Sequence, residues 1–267
     1  MAVFISGSDE NSGKHHRDTF FFGGWVGPEE DWSRFFAPAW QERVLAGPPK
    51  IPYLHMTDIR SKSWRGKWGL SRLDAEDRID EAFILLDQMQ TFYPIGLYLD
   101  AGFVRDQFKE MKVVSNATGA AKNFDPDYLC FLAYAYTVLN WVHLNNPEAE
   151  KVDFIVEING HITKYIQEFH ATLSEGLAVI GCPELAELLG QLIPGDKERV
   201  PLQAADLLLW YSARDKSTLD EREARRYFTI AHRKGARIPM SNEMLLKLKE
   251  SFSDKKVPPS AWFKESV

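Results

Sequence analysis

Short β-prone runs separated by longer runs of helical periodicity recur along this chain, and that alternation restricts it to a sheet layered with helices, the α/β class. Ala2 to Ser6 reads as a first strand, and Gly7 to Gly13 has the composition of a turn or loop. Thr19 to Val26, aromatic and β-branched, reads as a second strand that would close a hairpin. Trp32, Phe35, Phe36, Trp40 and Val44 then recur at helical spacing until Gly47-Pro48-Pro49 stops them. Ile51 to Ile59 starts extended, and Arg60 to Trp68 reads as a loop. A helix is expected from Leu73 to Met89, with Asp74, Glu76 and Asp77 suiting the positive end of its dipole.

The alternation continues with a buried strand over Ile95 to Leu99, a helix from about Tyr128 to Leu144, a strand over Val152 to Glu157 and a helix over Ile162 to Leu177. A short strand over Gly190 to Ile193 precedes the turn Pro194-Gly195-Asp196, and Leu202 to Ala213 is a helix with Pro201 near its first turn. No repeat or linker interrupts the chain. The expected division is one domain over residues 1–216 and a helical C-terminal extension over 217–267 packed on it.

Composition narrows the function classes. With 267 residues, 45% hydrophobic, the chain can bury roughly three quarters of its unfolded surface without disulfide or structural metal. The most apolar window, Tyr128 to Val142, contains Thr137 and Asn140 and is shorter than the roughly 20 residues a membrane span needs, so it reads as a core helix. Met1 to Ser8 does not read as a secretion signal. With Cys130 and Cys182 the only cysteines, both in apolar stretches, a reducing, cytoplasmic setting is expected. A net charge of −6 argues against a broad nucleic-acid surface but leaves room for a local basic groove.

The chemistry-bearing pattern is a set of acids at element ends: Asp9 and Glu10 after the first strand, Asp100 and Glu157 after later strands, and Asp206 in a late helix. Such acids can converge outside the carboxyl ends of parallel strands, and carboxylate oxygens are the natural ligands of Mg2+ or Mn2+. The same acids could equally be helix caps or solvated turn residues. Gln203, Asp206 and Trp210 share one helix face. A carboxylate inside Ala-Ala-Asp-Leu-Leu-Leu needs a metal, hydrogen-bond donors or a basic partner, for which Arg214 is a candidate. His55 and Asp58 precede Arg60, Lys62, Arg65 and Lys67, interleaved with Trp64 and Trp68, a mixture that could follow a phosphate backbone and stack bases or simply be a charged loop. His161 and the cluster Lys14, His15, His16 and Arg17 are weaker signals. Dinucleotide, phosphate-loop, zinc and serine-elbow motifs are absent from the sequence.

In order along the chain, Phe4-Ile5-Ser6-Gly7-Ser8, Phe22-Gly23-Gly24-Trp25-Val26 with Trp32, Leu54-His55-Met56, Phe154-Ile155-Val156-Glu157 and Leu202-Gln203-Ala204-Ala205-Asp206-Leu207 resemble the pattern of the family described as domain of unknown function 3800. That family is grouped with ribonuclease-H-like folds. The resemblance implies a central mixed sheet flanked by helices, with acids at the first strand, a later strand and a late helix holding divalent metal. It implies a metal-dependent nuclease in which Asp206, Glu157 and Asp9 bind Mg2+ or Mn2+, Glu10 stands beside them, and His55 positions phosphate or moves a proton. Gln203, Arg60, Lys62 and Arg65 would contact nucleic acid. Where the family has its opening aspartate this chain has Ser6, so Asp9 is expected to serve only if its loop folds back. Ser6 motivates an alternative, a catalytically inactive binding module of a defence or mobile-element system. The Trp-rich helix and charged C-terminal region motivate another, a protein-interaction scaffold.

Overall fold

A computed structural model describes residues 2–11, 19–108, 112–114, 121–123, 126–157, 182–214 and 216–239, with isolated positions at 173–174, 177, 242–243 and 246. Strands β1 (Ala2–Asn11) and β2 (Thr19–Pro28) form the expected antiparallel hairpin, in which Gly7 faces Trp25. Strand β3 (Tyr93–Asp100) pairs antiparallel with β2, and β6 (Ala149–Glu157) lies parallel to the other edge of β1. Strand β7 (Leu189–Gly195) is parallel to β6, and β8 (Ala236–Pro239) is parallel to β3. Among the described residues the result is a six-stranded mixed sheet in the order β7-β6-β1-β2-β3-β8. A separate two-stranded ribbon joins β4 (Lys112–Val114) and β5 (Ala121–Asn123).

Alternation along the strands sends successive side chains to opposite faces and so builds two cores. On one face Phe22, Ile95, Leu97, Phe154 and Val156 pack under helix α6 (Pro126–Asn145), which contributes Phe131, Tyr134, Val138, Leu139 and Val142. Helices α5 (Ala101–Phe108) and α7 (Pro183–Leu188) close that layer through Val104, Leu185 and Leu188. On the opposite face Trp25 belongs to a second core built with three helices. Helix α1 is built of wide π-turns over Asp31–Phe36 and Trp40–Leu45 around Ala37–Ala39, and buries Trp32, Phe36, Trp40 and Val44. Helix α4 (Arg72–Gln88) buries Ile79, Ala82, Phe83 and Leu86, and its predicted acidic first turn is a capping box in which Ser71 and Asp74 exchange hydrogen bonds of 3.0 and 3.1 Å. Helix α8 (Val200–Ser212) is apolar almost all round because it sits between the sheet and these helices. Gly7 permits this contact, since a Cβ there would stand 2.4–2.7 Å from Pro201 atoms of α8.

Three elements differ from the sequence-based expectation. β1 does not end at Ser6 but runs to Asn11, so Asp9 and Glu10 stand in the strand, paired with Gly23 and Phe22. Apolar periodicity stops at Ser6, yet β6 supplies backbone partners as far as Ser8 and β2 carries the pairing on to Asn11. Residues 60–68 are not a loop. They end helix α2 (Met56–Arg60) and form α3 (Lys62–Trp68), anchored by half-buried Trp64 and Trp68 and stopped by Gly69 at φ 67°, a left-handed conformation suited to glycine. The C-terminal region contributes helix α9 (Glu221–Ala231) as expected, but then returns β8 to the main sheet, so it belongs to the fold rather than lying on it. Ala-Arg-Ile-Pro is too short to show a period. Helix Ile162 to Leu177, His161 and the cluster Lys14 to Arg17 lie outside the described residues, apart from isolated positions. Among the described residues no helix is long and apolar enough to cross a membrane.

Candidate functional site

Helix α8 holds the extended segment that leads into α2 by two side chains one turn apart. Gln203 Oε1 accepts from the backbone N–H of Leu54 at 2.9 Å, and Asp206 Oδ2 accepts from that of Met56 at 2.5 Å. Alternate amides of a strand-like segment point to one side, which is why partners three residues apart on a helix can take both. His55 lies between the two clamped amides and is fixed in an extended conformation at φ −133°, ψ 128°. Gln203 is itself buried, its Oε1 also accepting from Trp40 Nε1 at 2.8 Å and its Nε2 donating to Glu198 O at 3.1 Å. These bonds fix Gln203 where it holds the segment and lines the cleft beside Asp206.

The partner of the carboxylate in the apolar helix is therefore a backbone amide. The Arg214 candidate does not reach it: that guanidinium pairs with Glu223. His55 Nε2 lies 3.7 Å from Asp206 Oδ1, and His55 Nδ1 lies 3.4 Å from Asp58 Oδ2, off the line of a hydrogen bond. The same Asp58 oxygen accepts from Tyr53 Oη at 3.1 Å and Lys197 Nζ at 3.2 Å. Lys197 comes from the turn between β7 and α8, and Glu157 from the carboxyl end of β6. Together with Leu54 and Leu202, His55, Glu157, Lys197, Gln203 and Asp206 line a cleft of the size a water molecule or an ion fills.

The surroundings favour the protonated form of both Asp206 and Lys197. Burial pushes the Asp206 carboxyl above the usual carboxylate range; His55 and the Met56 amide oppose the shift, Glu157 adds to it, and Lys197 opposes it. Burial would lower the Lys197 ammonium, but the hydrogen bond and charge of Asp58 outweigh it and hold the lysine above its ordinary value. Among the described residues the Glu157 carboxylate makes no hydrogen bond or ion pair. A raised Asp206 means that the native state binds this proton more tightly than the unfolded chain does. Ionisation of Asp206 then costs stability as pH rises from the unfolded value of about 4 to the higher native value. Asp206→Asn removes that cost. In urea titrations the stability of Asp206→Asn relative to the unmodified protein should improve as pH rises from about 4, and a difference that is flat with pH would contradict the raised value.

The other expected residues divide. Asp9 and Glu10 have side chains outside the described residues, but their backbone positions correct the expectation that Asp9 needs a folded-back loop. Ser8 stands opposite Val156, so Asp9 and Glu157 occupy the next positions along two parallel neighbours. Ser6, opposite Val26 and Phe154, lies deep in the sheet instead. Asp100 is a helix cap, accepting from Phe103 N at 2.8 Å. Arg60 turns away to Glu223 at 3.1 Å and Glu76 at 3.8 Å, under Trp210, and Arg65 caps α2 by donating to Ile59 O and Arg60 O at 3.0 and 2.6 Å. Lys62 is exposed on α3. The expected basic loop is thus largely an internal framework. Lys197 and Tyr53, which line or flank the cleft, carried no signal in the sequence beyond their closeness to a turn and to His55. Among the described residues no three His, Cys, Asp or Glu side chains are arranged to hold one ion. Comparison with family models, with curated proteins and with solved structures found no match.

Proposed function

We propose that this is a ribonuclease-H-like, divalent-metal-dependent phosphodiesterase acting on nucleic acid, with Asp206, Glu157 and Asp9 holding Mg2+ or Mn2+. The observation that carries the proposal is the pairing of two carboxylates on one small cleft: Asp206, whose ionisation is opposed by burial and by Glu157, and Glu157, uncommitted among the described residues. Two such acids fit a hard cation, and the register of β1 and β6 brings Asp9 to the neighbouring position. Acids at the first strand, a later strand and a late helix are the arrangement that the resemblance implies.

A divalent ion there would polarise a phosphodiester and lower the pKa of a bound water. The protein's own contribution is positional. Gln203 and Asp206 fix the backbone on either side of His55, and Asp58 faces its Nδ1, which leaves Nε2 turned to the cleft as the atom that holds or moves a proton. Thermal unfolding in Mn2+ and in Mg2+ tests the proposal. A site filled at 100 times its dissociation constant stabilises the native state by about 2.7 kcal/mol. A saturable rise in Tm that Asp206→Asn abolishes is the expected result. No rise in the unmodified protein would remove the catalytic proposal and favour the inactive binding module.

A further inference from the structure

The charge of this molecule is acidic overall, yet the surface beside the cleft is built from aromatic rings and lysines. Tyr53 and Trp64 have ring centroids 5.8 Å apart, and Trp64 and Trp68 follow at 6.2 Å. All three are half-buried, with Trp64 and Trp68 resting on the core behind them, so the row is held rigidly. Lysines mark its two ends: Lys197 Nζ lies 5.9 Å from the Tyr53 ring centroid, and Lys67 Nζ 5.2 Å from that of Trp68. Among the described residues lining the cleft Lys197 is the one lysine or arginine, and 38% of its side chain is exposed. The arginines that the sequence offered for phosphate, Arg60 and Arg65, are tied to carboxylates and carbonyls and leave this role open.

We infer that Lys197 and the row Tyr53–Trp64–Trp68 form a track for a single-stranded polynucleotide, in which Lys197 takes a phosphate at the mouth of the cleft and the rings take unpaired bases. The delivery of that phosphate to Asp206 and Glu157 rests on the phosphodiesterase proposal; the track itself does not. Aromatic faces bind bases of any sequence, but only where the bases are not already stacked in a duplex. A cleft of water or ion size cannot take in a double helix, so a phosphate meets Lys197 at its mouth. The ammonium gives one of its three N–H groups to Asp58 and keeps the others for a phosphate oxygen.

Fluorescence anisotropy of a labelled oligothymidylate, with the full-length protein in EDTA, tests the track apart from any metal. Affinity for the single strand should fall with rising salt, and binding should quench tryptophan fluorescence. Loss of one phosphate contact in Lys197→Met should flatten the slope of log K against log salt by about 0.7, whereas Lys197→Arg should keep the slope. Lys151→Met, at the opposite end of β6 from Glu157, should change neither affinity nor slope. Absence of single-strand binding, an unchanged slope in Lys197→Met, or equal affinity for the same sequence annealed to oligoadenylate would each overturn the inference. Lys197-dependent binding without a Mn2+-induced rise in Tm would keep the track and remove only the phosphodiesterase.

Discussion

Replacing Arg226 with Met should lower the free energy of unfolding by about 3–5 kcal/mol, the cost of breaking a buried charge network by removing one partner. Only 2% of this side chain is exposed. Its Nε donates to Asp80 Oδ1 at 2.5 Å, Nη1 to Glu76 Oε2 at 2.7 Å and Tyr211 Oη at 3.0 Å, and Nη2 to Glu76 O at 2.8 Å. Burial would lower this guanidinium, but Tyr211, Glu76 and Asp80 together raise it above its ordinary value, so it stays charged. These bonds join α9 to α4 and to α8, the helix that carries Gln203 and Asp206. Without Arg226, Asp80 keeps Arg222 at 2.5 Å, but Glu76 is left with Arg60 at 3.8 Å. Arg225→Met is the comparison: its partner Glu221 lies 2.5 Å away, but the two side chains are 76% and 84% exposed, so the change should cost less than about 1 kcal/mol. Urea denaturation of the two variants side by side decides the matter. Equal midpoints would mean that the network contributes no more than a surface pair.

Gln203→Leu should cost about 2–6 kcal/mol and should loosen the site at the same time. Leucine is close in size, so the loss is one of hydrogen bonding: Trp40 Nε1 and Leu54 N–H are both left buried without an acceptor, at about 1–3 kcal/mol each. Urea denaturation reads the stability, and amide hydrogen exchange reads the position, because the Leu54 amide should lose protection more than amides in the centre of α6. Uniform loss of protection would show that Gln203 supports the fold in general and not the segment that carries His55.

Much of the layering was legible because each local run has one dominant period. Trp32, Phe36, Trp40 and Val44 declared the buried face of α1, and Thr19 to Val26 declared β2. The importance of Asp206 was legible for a different reason: a carboxylate among alanines and leucines has to be met by something. What met it was not. Met56 N–H is 150 residues away in sequence, and Arg214, near enough in sequence to be the obvious candidate, went to Glu223 instead. Arg60, Lys62 and Arg65 show the converse. Their charges are plain in the sequence, but whether a guanidinium faces solvent or a ring of carbonyls is a property of what packs around it.

The position of Asp9 illustrates the same division. The polar residues after Ser6 carry no strand period, and on local grounds they belong to a loop. They are drawn into β1 by β2, which pairs with them through to Asn11, and by β6 as far as Ser8, so that Asp9 and Glu157 stand one residue beyond the last pair of two neighbouring strands. The amino-acid sequence by itself determined the alternation of elements, the apolar faces that form two cores on a sheet, and the presence of a buried acid in the last long helix. Those follow from side-chain periodicity and from the cost of burying charge, both local. Only the tertiary structure decided which donor answers Asp206, which lysine reaches the cleft and which acids come level, because a hydrogen bond or a strand register joins residues whose separation in sequence carries no trace of the contact.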